Sequence, residues 1–211
     1  DLASEALEAA AQDIEYTAGE FRVVGTDVKI GLFDLAAKQP QGRITVSGDA
    51  TAGAPSWPNA AHVCEVEIDP ATGAVEIVAY ATVNDIGRVV SPQIVQGQVE
   101  GGAVQGIGQA LCEQVIYDAE GQLLTGSFMD YALPHADVFR GFKTVFDTSV
   151  PCTTNVLGVK GVGELGTIGA TPAVANAVCD ALVAAGVPTA RAEALQMPMT
   201  PARVWAALTQ G

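Results

Sequence analysis

Basic residues are scarce in this chain. Ten Lys and Arg stand against 24 Asp and Glu, a formal charge of −14 over 211 residues. Nucleic acid and anionic membrane surfaces both attract an excess of Lys and Arg, so this balance argues against either as a partner. It suits a protein that meets neutral or weakly charged small molecules. Histidine is scarcer still: His62 and His135 are isolated, which argues against a histidine metal site. The four cysteines, Cys64, Cys112, Cys152 and Cys179, include no Cys-x-x-Cys pair. That pattern is not a zinc or iron–sulfur site, and it is not a dense disulfide framework. Buried, reduced thiols in a cytoplasmic protein are expected instead. No apolar run approaches the length of a membrane span, so the chain is not expected to be transmembrane. Leu2–Ala11 is apolar but carries Glu5 and Glu8, which makes it an amphipathic helix rather than a signal peptide. The chain opens in that helix without an initiator methionine, and a piece of something longer is expected.

What is present is a packed composition. Hydrophobic residues make up 49% and charged residues 16%, enough for one good core or two small ones. Ile14–Tyr16 and Glu20–Val24 flank a Thr-Ala-Gly turn and read as a hairpin. Ile30–Ala37 reads as a short helix, and Arg43–Gly48 as a strand. His62–Ile68 and Ala74–Val83 alternate around Asp69-Pro-Ala-Thr-Gly73, the clearest hairpin in the chain. Ser91–Leu111 reads as a helix despite five glycines, each costing about 1 kcal/mol there. Close helix packing or a backbone pressed against a ligand would account for them. A second hairpin is expected over Glu113–Tyr117 and Leu123–Gly126, and a strand over Phe142–Asp147. Thr171–Ala185 reads as an apolar helix with Pro172 in its first turn and Gly186 at its end. Thr200–Leu208 reads as the last helix. Strand pairs mixed with helices, without a regular β-α-β rhythm, indicate α+β with mixed sheets. A small segment over 1–42 and a larger domain over 43–211 are expected.

Gly158-Val-Lys-Gly-Val-Gly-Glu164-Leu-Gly-Thr-Ile-Gly-Ala-Thr-Pro172 is a glycine-dense loop holding one carboxylate just before a helix. Glycines let a backbone approach a ligand closely, and a helix N-terminus offers unpaired N–H groups to an anion. A glutamate sheltered there is a candidate general base, since shelter raises a carboxyl pKa. The plainer reading is a tight connection whose glutamate sits near a positive helix end.

Three separated motifs carry a resemblance. Val83-Asn-Asp-Ile-Gly-Arg88 and Ser91-Pro92 lead into Gly97-Gln98-Val-Glu100-Gly101-Gly-Ala-Val-Gln105-Gly106. Lys160-Gly-Val-Gly-Glu164 and Thr171-Pro-Ala-Val-Ala-Asn176-Ala follow. In this order they resemble the C-terminal part of the molybdopterin-binding large subunit of the xanthine dehydrogenase/aldehyde oxidase family of molybdenum hydroxylases. The resemblance runs from about Asp1 to the end and is strongest over Ala81–Leu182.

The resemblance implies the α+β molybdenum cofactor-binding domain over 43–211, with 1–42 completing an upstream subdomain. It implies a molybdenum–pyranopterin, as the cytosine dinucleotide in bacteria, with iron–sulfur centres and FAD on partner subunits. The partners implied are an upstream part of the molybdopterin subunit, an iron–sulfur subunit, a flavin or other electron-transfer subunit, and a small-molecule substrate. Glu164 takes the place of the family's catalytic base. Gln98 matches the glutamine that faces the pterin, although an exposed helix residue would look the same. Gly97, Gly161, Val162 and Gly163 would offer backbone groups to the cofactor. Lys160 would offset cofactor charge or be an ordinary surface lysine. Asp85 and Arg88 are expected to pair and shape the helix entry, and Glu100 and Gln105 are weaker candidates.

Two departures stand out. Ser91-Pro92 replaces the family's Asn-Pro, where Ser91 could still cap the helix. Leu165-Gly166 follows Glu164 where xanthine-type enzymes carry Pro-Pro. The motif style is nearer carbon monoxide dehydrogenase, aldehyde and N-heterocycle hydroxylases, so purines are discounted. The function expected is the base-bearing part of a hydroxylase that oxidises an aldehyde or N-heterocycle with oxygen from water. The alternative is a non-catalytic cofactor-binding or structural subunit. A phosphate-binding module would explain the glycine loop but not Gly97-Gln98.

Overall fold

The computed structural model describes residues 1–136 and 141–209. The chain separates into two compact units, Asp1–Asp49 and Ala50–Gly211.

The first unit starts with helix α1 (Leu2–Leu7), which stops early because Glu8 turns left-handed at φ 52. Strands β1 (Ile14–Thr17) and β2 (Glu20–Val23) pair antiparallel. Ala18 and Gly19 join them with φ 51 and 87, the pair of positive angles a two-residue hairpin turn requires. Strand β3 (Lys29–Gly31) adds antiparallel to β2, and α2 (Leu32–Ala37) follows directly. The helix expected from Ile30 therefore begins two residues later. Ile30 pairs across to Phe21 and buries in a small core with Ala3 and Leu35. Arg43–Gly48, expected as a strand, forms none. A lone extended segment gains no ladder for its amides.

The second unit is built on β4 (Asn59–Ile68) and β5 (Val75–Asp85), the expected hairpin. The Asp69 carboxylate fixes the turn by accepting the Ala71 N–H at 2.9 Å and the Thr72 hydroxyl at 2.7 Å. Strand β6 (Lys143–Asp147) lies parallel to β5, so the sheet order is β4-β5-β6 and the sheet is mixed. Helices α3 (Pro92–Leu111) and α4 (Leu165–Ala184) pack against each other, and α4 also lies on β4. Short α5 (Thr189–Glu193), unforeseen, and α6 (Pro201–Thr209) close the fold. One core joins Ile77 and Tyr80 of the sheet to Ile107 of α3, Val174 and Val178 of α4 and Val204 of α6. This is the expected α+β class with mixed sheets.

Three expectations need correction here. Helix α4 starts at Leu165 rather than Thr171, so Pro172 lies inside it. Proline there deprives the Ile168 carbonyl of its donor, and burial of Leu165, Gly166 and Ala170 outweighs that loss. At 20 residues α4 is long and apolar enough to cross a membrane by length and composition, contrary to the expectation for the chain. Here its Val174, Val178 and Leu182 are core residues. The expected hairpin over 113–126 shrinks to a single bridge between Tyr117 and Leu123. Its turn belongs to Asp118, whose carboxylate takes the N–H groups of Glu120 and Gln122.

Candidate functional site

The glycine loop is stitched to the end of β5. Arg88 N–H donates to the Gly158 carbonyl and Lys160 N–H to the Ile86 carbonyl, both at 2.8 Å, with Gly87 bridged to Val159. Gly87 has no substitute: its φ is 64, and a Cβ would collide with the Gly158 carbonyl. This stitch brings Lys160 Nζ to Asp85 Oδ2 at 2.6 Å. Asp85 therefore pairs with Lys160, 75 residues away, and not with Arg88 as expected. Gly87 turns the chain first, and Arg88 is exposed. The Lys160 ammonium, helped by the Gly87 N–H at 3.0 Å, holds the Asp85 carboxyl below the ordinary carboxylate range. Only 10% of the Lys160 side chain is exposed, so it is no ordinary surface lysine.

Beyond that anchor the loop is bare. Val162 turns inward onto Ile86, Val99 and Leu165, leaving its flanking residues Gly161 and Gly163 exposed. Glu164 is the residue before α4 and makes no side-chain capping bond. It is exposed, so the shelter expected for it is not supplied by the described residues. Its neighbours on one side are glycines, which have no side chains to cover it.

Gln98, on the second turn of α3, donates from Nε2 to the Gly163 carbonyl at 3.2 Å. Two motifs 65 residues apart thus meet beside Glu164. Among the described residues its Oε1 has no hydrogen-bond partner. Ser91 precedes α3 but makes no side-chain cap; its backbone carbonyl takes the Val95 N–H. Glu100 accepts from Gln96 and Thr144, both at 2.9 Å, a structural use. Gln105 is exposed.

The glycines divide into two groups. A Cβ at Gly102 or Gly106 would press on α4, and one at Gly166 on the Val99 and Ala103 backbone, so these set the approach of the two helices. A Cβ at Gly97, Gly101, Gly161 or Gly163 would meet nothing within 4 Å, and none of these has a left-handed φ. Neither packing nor backbone conformation explains them. They leave open space beside a side-chain amide and the N-terminus of α4. That donor set fits a flat, anionic cofactor.

Next to the loop lies a cleft of about 560 Å³ whose walls include Trp57, Pro58, His62, Glu164, Leu165 and Ile168. His62 was not singled out by the sequence as a site residue. Its Nδ1 lies 2.6 Å from Tyr80 Oη, and its ring occupies the place a side chain at Gly169 would need. Burial pushes its pKa down. Only the register of β4 against α4 creates this environment. All four cysteines are free and half-buried. Burial pushes the Cys64 thiol up to about 11, whereas the Thr154 hydroxyl 3.1 Å from Cys152 Sγ and nearby backbone N–H groups lower Cys152.

Comparison with known proteins gives the family. The molybdopterin cofactor-binding domain family matches residues 1–139. The 6-hydroxypseudooxynicotine dehydrogenase complex subunit gamma of Paenarthrobacter nicotinovorans is 38% identical over 97% of this chain and 26% of that relative. Reconstituted CO dehydrogenase from Oligotropha carboxidovorans superposes with a TM-score of 0.82 at 28% identity, over 99% of this chain and 26% of that one. Quinoline 2-oxidoreductase from Pseudomonas putida 86 superposes with a TM-score of 0.77 at 32% identity, over 99% of this chain and 27% of that one. The chain spans about a quarter of the length of these relatives. It belongs to the molybdopterin-binding large-subunit family of the xanthine dehydrogenase/aldehyde oxidase type.

Proposed function

We propose that this chain is the base-bearing part of a molybdenum hydroxylase that oxidises an N-heterocycle or aldehyde with oxygen from water. The observation that carries this reading is the bond from Gln98 Nε2 to the Gly163 carbonyl. It brings a side-chain amide, a bare glycine backbone and one carboxylate onto a single small surface, which supports a cofactor edge held there. A molybdenum–pyranopterin bound there would supply the redox chemistry, delivering oxygen and receiving two electrons. Glu164 Oε takes the proton that the attacking water-derived oxygen must lose. Gln98 and the backbone of Gly97, Gly161, Val162 and Gly163 hold the cofactor edge. The Asp85–Lys160 pair acts behind them, fixing where the loop begins.

The finer assignment is the cytosine dinucleotide form of the cofactor, with iron–sulfur centres and FAD on partner subunits and the upstream large-subunit segment closing the site. The N-heterocycle substrate class draws support from the relative named for quinoline, and a cytoplasmic location fits the enzyme class proposed.

Replacing Glu164 with Gln in the assembled complex tests the reading. A lost proton-transfer group should lower kcat by about a hundredfold or more, while molybdenum content stays normal. Turnover within a few-fold of wild type would sink the assignment of the base, and normal turnover by a complex free of molybdenum would sink the whole reading.

A further inference from the structure

Three consecutive residues near the start of α3 face three ways. Successive helix residues are about 100° apart, so Gln98 and Glu100 flank Val99 on opposite sides. Val99 is fully buried with Ile86 and Leu165, and that cluster takes in Val162 of the glycine loop and Phe146 of β6. On one flank Gln98 Nε2 donates to the Gly163 carbonyl at 3.2 Å. On the other, Glu100 Oε1 accepts from the Thr144 hydroxyl of β6 and from the Gln96 amide, both at 2.9 Å. We propose that the Thr144–Glu100 bond locks the rotation of α3 and thereby sets the Gln98 amide on the Gly163 carbonyl, which makes Thr144 a positioning residue for the cofactor edge. This rests on Gln98 holding that edge in the reading proposed above.

Three observations support the lock. The seam between α3 and α4 is smooth, since Gly102 and Gly106 lie against Gly166, Thr167 and Ala170. Helix rotation is ordinarily fixed by side-chain ridges seated in grooves, and glycine contributes no ridge. A bond on each flank supplies the missing constraint: rolling α3 toward either flank lifts the opposite one from its partner. Next, the anchor of the lock is itself fixed. Asn84, wholly buried on β5, donates from Nδ2 to the Val145 carbonyl and accepts from the Thr82 hydroxyl, both at 3.1 Å. That amide holds β6 in register beside β5, with Thr144 opposite Thr82. Finally, the acceptor is aimed from within α3. Gln96, one turn earlier, bonds the same Glu100 oxygen that Thr144 uses.

The test uses the assembled complex carrying Thr144→Val, which keeps the side-chain shape and removes its hydroxyl. Thr144→Ser is the rescue, Glu100→Ala opens the lock from the helix side, and Ile107→Val lowers Tm in the core of α3 without touching the lock. Loss of molybdenum on dialysis should quicken about fivefold in Thr144→Val and likewise in Glu100→Ala. It should stay near wild type in Thr144→Ser and in Ile107→Val. Added to Gln98→Ala, Thr144→Val should quicken the loss no further, because the lock acts through that amide. Equal loss from Thr144→Val and Ile107→Val, or a full further increase in the Gln98→Ala background, overturns the proposal. Amide hydrogen exchange separates the lock from the cofactor reading. In complex prepared without molybdenum, Thr144→Val should speed exchange over residues 159–166 several-fold, and Thr144→Ser should not. That result supports the lock even if Gln98→Ala retains its molybdenum, an outcome that removes only the cofactor role of Gln98. Unchanged exchange in both Thr144→Val and Glu100→Ala overturns the lock itself.

Discussion

At the scale of one residue, Asp85 shows how the loop is held. Its carboxylate lies 2.6 Å from Lys160 Nζ and also takes the Gly87 N–H. Its folded pKa is held below the unfolded value of about 3.9. Such a group stabilises the fold fully above the unfolded value, and the contribution fades as pH falls through the lower, folded one. Asp85→Asn should therefore cost on the order of 2 kcal/mol at neutral pH. Urea titrations of both proteins from neutral to acid should show the gap narrowing below about pH 4; a gap of constant size would mean that an ionised carboxylate is not its source. Asp85 itself was legible as a structural partner in the sequence. Lys160 as its mate was not, because nearness in sequence favoured Arg88 and only the folded stitch brings position 160 across. The same holds for His62. Its type and spacing say nothing, since its surroundings depend on a side chain that Gly169 lacks. Gln98 and Glu164 stand out in the sequence by their glycine neighbours, and the folded chain brings their two motifs together through the Gln98–Gly163 bond.

At the scale of elements, the two groups of glycines predict opposite behaviours. Gly166→Ala forces a Cβ into the Val99 and Ala103 backbone, and overpacking of that kind costs about 1–3 kcal/mol. Gly97→Ala enters open space on an exposed face of α3. It should raise helix stability by up to about 1 kcal/mol yet lower the molybdenum retained by the purified complex. Thermal unfolding and metal analysis of the two variants check this pair; a Gly97→Ala protein with full molybdenum would return that position to an ordinary helix role. Every helix but α5, the β4–β5 hairpin and β6 were readable from period and turn chemistry. The start of α4 was not, because Pro172 suggests a first turn and burial of Leu165 and Gly166 extends the helix past it. Arg43–Gly48 failed for the opposite reason: its residues suit a strand, but strands are made by partners.

At the scale of the whole molecule, the chain covers 26% of its curated relative and leaves much apolar surface outward. Phe128 and Met129, neighbours in the chain, are 86% and 94% exposed. In the assembled complex these two should be covered by another polypeptide. Hydroxyl-radical footprinting should show Met129 sulfoxide falling several-fold on assembly, and equal oxidation in both states would exclude that segment from the contact.

The stitch between Ile86–Arg88 and Gly158–Lys160 also governs when the surface around Glu164 can exist. It joins positions such as Asp85 and Lys160 that are 75 residues apart, so it closes a long loop before any reward arrives. Such non-local pairings form late, after local elements such as the β4–β5 hairpin and α3 have taken shape. The surface around Glu164 is therefore absent from early folding states, and a cofactor can be captured only by a chain that has already finished folding.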